Sequence, residues 1–155
     1  MSIQHEQYLG NPNLKKANVA QNFTKKQVTE FLKCAQDPVY FAQKYVKIIN
    51  LDEGLVPFKM YDFQEQLVNN FHYNRFNICK MPRQSGKSTT VVSYLLHYAI
   101  FNDSVTVGIL ANKAQTARDL LGRLQIAYEN LPRWMQQGII AWNKGSMELE
   151  NKSKI

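Results

Sequence analysis

Apolar positions change their period along this chain, and each change marks an element. After Thr24, Val28, Phe31, Leu32 and Ala35 recur at helical spacing until Asp37-Pro38 interrupts them, which predicts a helix capped by Thr24. Pro38 is tolerated in a first turn, so a second helix follows and turns Val39, Phe41, Ala42 and Tyr45 inward. The period then shortens. Residues 46–49 and 55–58 read as extended segments around the turn Asp52-Glu53-Gly54. Asp62 can cap a third helix holding Phe63, Leu67, Val68 and Phe71.

From there strand and helix alternate twice. Residues 76–81 read as a strand, and 87–101 as a helix with a broad apolar face. The run SVTVGILA, 104–111, is apolar enough for a strand buried on both faces. Residues 114–130 form a second amphipathic helix, with Ala117, Leu120, Leu121, Leu124 and Tyr128 on one side. Such alternation predicts parallel strands joined by right-handed crossovers. The tail GIIAWNKGSMELENKSKI predicts a hairpin turning at Asn143-Lys144-Gly145. Residues 1–22 are polar, Asn-rich and aperiodic, and read as a flexible arm. The expected organisation is this arm, a helical segment over 23–45, and an α/β unit over 46–155.

Composition narrows the class. At 155 residues and 45% hydrophobic, the chain has the material for one core. A formal charge of +7, from 19 basic and 12 acidic residues, favours polyanionic partners. The pairs Lys15-Lys16 and Lys25-Lys26 read as solvated surface. Cys34 and Cys79 have no C-x-x-C spacing and read as reduced, buried small hydrophobes. His5, His72 and His97 lack a second ligand at a metal spacing, so no protein-built zinc site is expected. The start of the chain has no leader pattern. Its most apolar run, 91–101, is eleven residues long, against roughly 20 for a bilayer span. A soluble intracellular protein is expected.

The candidate chemistry lies in KMPRQSGKSTT, residues 80–90. A phosphate loop of the form G-x-x-x-x-G-K-[ST] wants Gly at position 81, where this chain has Met81. Binding polyphosphate at a strand-to-helix turn requires inward backbone N–H groups, a cation for the β/γ-phosphates and a hydroxyl for Mg²⁺. Gly86 lets the backbone curl closely, Lys87 supplies the cation and Ser88 the hydroxyl. Pro82 can set the chain direction that the missing glycine would have left open. Arg83 stands at the mouth of the cradle, where charge develops in phosphoryl transfer. Upstream, Gln64 carries an amide able to donate to and accept from adenine at once.

The combination of PVYFAQKYVKI, GLVPFKMYDFQEQL, ICKMPRQSGKSTT, VGILANK and IIAWNKGSMELEN resembles the large terminase subunit of contractile-tailed, myovirus-type phages. The similarity runs from about Asp37 to the end. It implies a P-loop NTPase of RecA/ASCE type: a parallel sheet with flanking helices behind a small helical N-terminal region. It implies ATP and Mg²⁺ as cofactors, held by Gln64, Arg83, Gln84, Ser85, Gly86, Lys87, Ser88 and Thr89, with Ser88 at the metal. Arg83 resembles the basic residue that acts in cis on the phosphates, and Lys87 the phosphate-binding lysine. Leu110 to Lys113 resembles the segment after the second strand, which in such motors lies near the coupling between ATP state and DNA grip.

In that family, ATP hydrolysis pulls double-stranded DNA into a procapsid. The implied partners are DNA, a portal protein, a small terminase subunit and further copies in a ring, in the host cytoplasm at the procapsid portal. The family's acidic strand, an Asp for Mg²⁺ followed by a Glu to activate water, has no counterpart here, and Glu148-Leu149-Glu150 is a poor substitute. The sequence therefore reads as the front third of a longer ATPase/nuclease. These 155 residues alone are expected to dissolve poorly and to hydrolyse no ATP. Two alternatives stay open: a fragment of a helicase with two RecA-type domains, and a non-catalytic nucleotide-binding module.

Overall fold

The computed structural model describes residues 6–50 and 52–155. In chain order the elements are a hairpin of β1 (Gln7–Tyr8) and β2 (Asn11–Lys15), α1 (Lys25–Gln36), α2 (Pro38–Tyr45), and a hairpin of β3 (Lys47–Asn50) and β4 (Gly54–Pro57). Then come α3 (Asp62–Tyr73), α4 (Lys87–Phe101), α5 (Ala114–Glu129), a 3-10 turn at Arg133–Met135, and a hairpin of β5 (Ile139–Trp142) and β6 (Met147–Leu149). The fold is mixed α/β. No described helix is long and apolar enough to cross a membrane.

Helix α4 is the centre of the core. It buries Val92, Leu96, Ala99 and Ile100 because α2, α3 and α5 all pack on it, which is why its sequence is apolar nearly all round. Each fully buried Leu or Ile contributes roughly 1.5–3 kcal/mol of burial. Phe41 and Ala42 of α2 and Leu124, Ala127 and Tyr128 of α5 close the core around it. His97 is also inside, with Nε2 2.9 Å from the Cys34 carbonyl and its ring against Phe41 and Phe101. Burial pushes its pKa down to about 4, so it stays neutral.

The starts of α1 and α2 follow their caps, whereas Asp62, expected to cap α3, is the first residue inside that helix and Tyr61 holds the cap position. Thr24 Oγ1 accepts from Gln27 N–H, and Gln27 Oε1 accepts in return from Thr24 N–H, a complete capping box. Asp37 caps α2 through Tyr40 N–H, with Pro38 in the first turn as expected. Helix α4 begins and ends at the expected residues, and α5 ends one residue early. On α1, however, the inward residue is Cys34, while Val28 and Leu32 are 45% and 57% exposed.

The expected parallel sheet is not formed among the described residues: all three sheets are two-stranded antiparallel hairpins. Residues 76–81 form no regular secondary structure and pair with no strand among the described residues, and Phe76 and Ile78 are 83% and 101% exposed. Cys79, expected to be buried, is exposed for the same reason. Among the described residues, parallel pairing is confined to a bridge between Thr106 and Lys154 and one between Lys16 and Ile139. Residues 105–110 alternate between half-buried and exposed, so this segment is covered on one face, not both. The local sequence asks for strands here, but a parallel strand is stable only beside another strand with both faces covered.

Residues 6–22 also depart from the loose arm expected for 1–22; residues 1–5 and His5 lie outside the described residues. The β1–β2 hairpin buries Leu14. Lys15 N–H donates to Gln136 Oε1, and Gln136 Nε2 donates back to the Asn13 carbonyl. These partners lie more than 100 positions away in the chain, and local periodicity carries no trace of them.

Candidate phosphate-binding site

Two residues with left-handed backbone shape the loop: Gln84 at φ 62° and Gly86 at φ 74°. Glycine adopts that region freely, whereas glutamine does so at a cost. Gly86 then becomes the N-cap of α4. Its carbonyl accepts both the N–H and the hydroxyl of Thr90. The N–H groups of Lys87, Ser88 and Thr89 make no backbone hydrogen bond among the described residues. They are the orphan donors of a 15-residue helix, and they carry its positive dipole end.

The loop is held closed by one carbonyl. Pro82 O accepts Ser85 Oγ at 3.0 Å and Lys87 Nζ at 3.2 Å, so the Lys87 ammonium lies across the loop mouth. Arg83 is exposed and joins no salt bridge among the described residues. Ser88 and Thr89 are half-buried on the first turn of α4.

Gln64 reaches the loop from α3. Its Oε1 accepts the N–H of Tyr61, capping α3, while Nε2 faces the Ser85 carbonyl at 3.4 Å. The residue is only 3% exposed. One amide thus ties the start of α3 to the loop and keeps a second Nε2 hydrogen uncommitted.

A cleft of about 550 Å³ opens beside the loop. It brings together Gln64, Gln84, Ser85, Gly86 and Thr89 with the β3–β4 hairpin above them. Arg83, Lys87 and Ser88 do not line it. They sit where the loop meets solvent, so the cleft and the helix terminus are neighbouring compartments. Tyr61 and Phe63 also line the cleft and stack nearly parallel, with ring centroids 5.7 Å apart at 9°. Sequence reading named Phe63 only as one of the apolar residues of the third helix, and in the structure it is 42% exposed. The signal that reading passed over is that Tyr61, Phe63 and Gln64 together flank the helix start, two aromatics beside an amide.

The acidic residues of the tail are engaged elsewhere. Glu150 accepts the N–H groups of Asn18 and Gly138, and Glu148 pairs with Lys154 at 3.2 Å. No group of three His, Cys, Asp or Glu with metal-site geometry occurs among the described residues. What the loop can do chemically is take up a multiply charged anion: unfilled amides, a helix dipole, one positioned ammonium and a hydroxyl converge on it. A family model described as "Terminase large subunit, T4likevirus-type, N-terminal" matches residues 78–155, from the segment entering this loop onward.

Proposed function

Since the chain belongs to the T4-like-virus type of terminase large subunits, and so to viral DNA packaging, we propose that its loop binds Mg²⁺-ATP for a packaging motor. The observation that carries this reading is the helix terminus: three unbonded amides, Lys87 to Thr89, behind a left-handed glycine. ATP supplies the phosphoanhydride bond whose cleavage can drive movement of DNA. The residues present suit it. The amides and Lys87 would hold the phosphates, the Ser88 hydroxyl would take one Mg²⁺ position, and Arg83, unpaired, would reach the terminal phosphate. Gln64 and the aromatic pair in the adjoining cleft would hold the base. Lys87 would exchange the Pro82 carbonyl for phosphate oxygen.

In the longer ATPase/nuclease that the resemblance implies, this loop would lie at the end of a parallel sheet of the P-loop type. Hydrolysis there would move double-stranded DNA through a ring of copies at the procapsid portal, with the portal protein and small subunit as partners.

Titration calorimetry with Mg²⁺-ATP tests the first step directly. The chain is expected to bind with a micromolar Kd, and Lys87→Ala to weaken this by at least tenfold, on the order of 1.4 kcal/mol or more. Equal binding by both proteins, or by neither, would sink the reading.

A further inference from the structure

A second cavity, of about 400 Å³, lies behind the loop helix, under strand β3. Val46, Ile48, Val92 and Ile126 give it apolar walls. Ile48 and Thr89 line both this cavity and the cleft beside the loop, so the two share a partition. Two features of the second cavity bear on what it can hold.

The first is a hydroxyl. Ser93 lines the cavity from α4, is 1% exposed, and its Oγ has no hydrogen-bond partner among the described residues. A buried hydroxyl without a partner is costly, so this position favours an occupant that carries an acceptor. The second is charge. Lys47 and Arg123 line the cavity, both are exposed, and neither joins a salt bridge among the described residues. No Asp or Glu is among the lining residues. The cavity is therefore apolar inside, hydroxylated on one wall and positive at its edge. That pattern of apolar lining with a few converging polar groups, at this size, is that of a small-molecule site.

We propose that this cavity is a second ligand site, for a small amphipathic carboxylate. An aromatic or aliphatic body lies against Val46, Ile48, Val92 and Ile126, and the carboxylate meets Arg123 and Lys47. A carboxylate oxygen or another acceptor takes the Ser93 hydroxyl. The two unpaired cations select an anion over a neutral compound, and Ser93 selects an acceptor over a hydrocarbon. A polyphosphate is excluded by the same walls, because burying its charges against four aliphatic side chains leaves them unsolvated. The inference stands apart from nucleotide binding at the loop.

The experiment is a titration of 2-naphthoate into the whole chain with ¹³C-labelled Ile and Val methyls, read by NMR. Saturable shifts are expected at Ile48, Val92 and Ile126. The neutral, near-isosteric 2-naphthamide is expected to bind at least fivefold more weakly, and the double variant Lys47→Gln, Arg123→Gln to lose a similar factor for naphthoate only. Both substituted positions are exposed, so folding is retained. Ser93→Ala, which removes the hydroxyl at no cost in bulk, is expected to weaken binding severalfold. Absence of saturable shifts at those methyls overturns the proposal. Equal affinity for the acid and the amide, or naphthoate binding indifferent to loss of the two cations, overturns it as well.

Discussion

The side-chain amide of Gln64 fills the space that a β-carbon on Gly86 would need: a Cβ built there lies 2.5 Å from Gln64 Nε2. One residue belongs to the first turn of α3 and the other caps α4, so this approach sets the starts of the two helices against each other. It also gives Gly86 two reasons to be glycine, its φ of 74° and its neighbour.

Those reasons separate by mutation. Gly86→Ala is expected to destabilise the chain by about 2–3 kcal/mol, from left-handed strain and the clash with a buried amide. In a Gln64→Ala background the further cost should fall to about 1 kcal/mol, the strain alone. Urea denaturation of the four proteins measures both. An unchanged cost would mean that Gln64 is no obstacle.

Glu30 joins α1 to α2. Its carboxylate meets Lys44 at 2.6 Å and accepts the hydroxyls of Tyr40 and Tyr45 at 2.8 Å each. The Lys44 hydrogen bond, then those of the two tyrosines, hold its pKa down at about 2, below the ordinary 4.5. Because the folded value is the lower one, this stabilisation is complete above pH 4.5 and drains away as pH falls towards 2. Relative to Glu30→Gln, the wild-type advantage in urea midpoint should be greatest at neutral pH and already narrowed at about pH 3.

His97 acts in a higher window. Desolvation lowers its pKa from 6.5 to about 4, so between these values the unfolded chain takes up a proton that the folded chain refuses. Stability therefore falls as pH drops from 6.5 to 4, by on the order of 3 kcal/mol in full. His97→Phe keeps the ring packing and loses the Cys34 hydrogen bond. It should be less stable at pH 7 but flat across this window, where wild type slopes.

The segment with Ile78 has no strand beside it among the described residues, and an unpaired apolar stretch invites other chains. Ile78→Lys is expected to leave the unfolding free energy within about 0.5 kcal/mol, as befits an exposed position. Light scattering should show a higher concentration threshold for aggregation. A stability loss beyond 1 kcal/mol would show that Ile78 is packed in solution.

The caps of α1 and α2, the limits of α4 and the two later hairpins were legible in the sequence because each depends on neighbours within a few positions, whereas the cap of α3 fell on Tyr61 and not on Asp62. Thr24 with Gln27, Pro38 after Asp37, and the Asn143 side chain accepting the N–H groups of Gly145 and Ser146 are all local bargains. The turn into α4 was legible for the same reason: Gly86, Lys87 and Ser88 are consecutive, and the helix they start is strongly apolar.

Tertiary structure decided the rest. Which face of α1 turns inward, and whether residues 76–81 find a strand to pair with, depend on partners far along the chain that no local period encodes. So does the hairpin at residues 7–15, held through Gln136. The same holds for Gln64. Sequence supplied an amide near a loop; only the packing of α3 against α4 set that amide against Gly86, where it caps one helix and shapes the start of another.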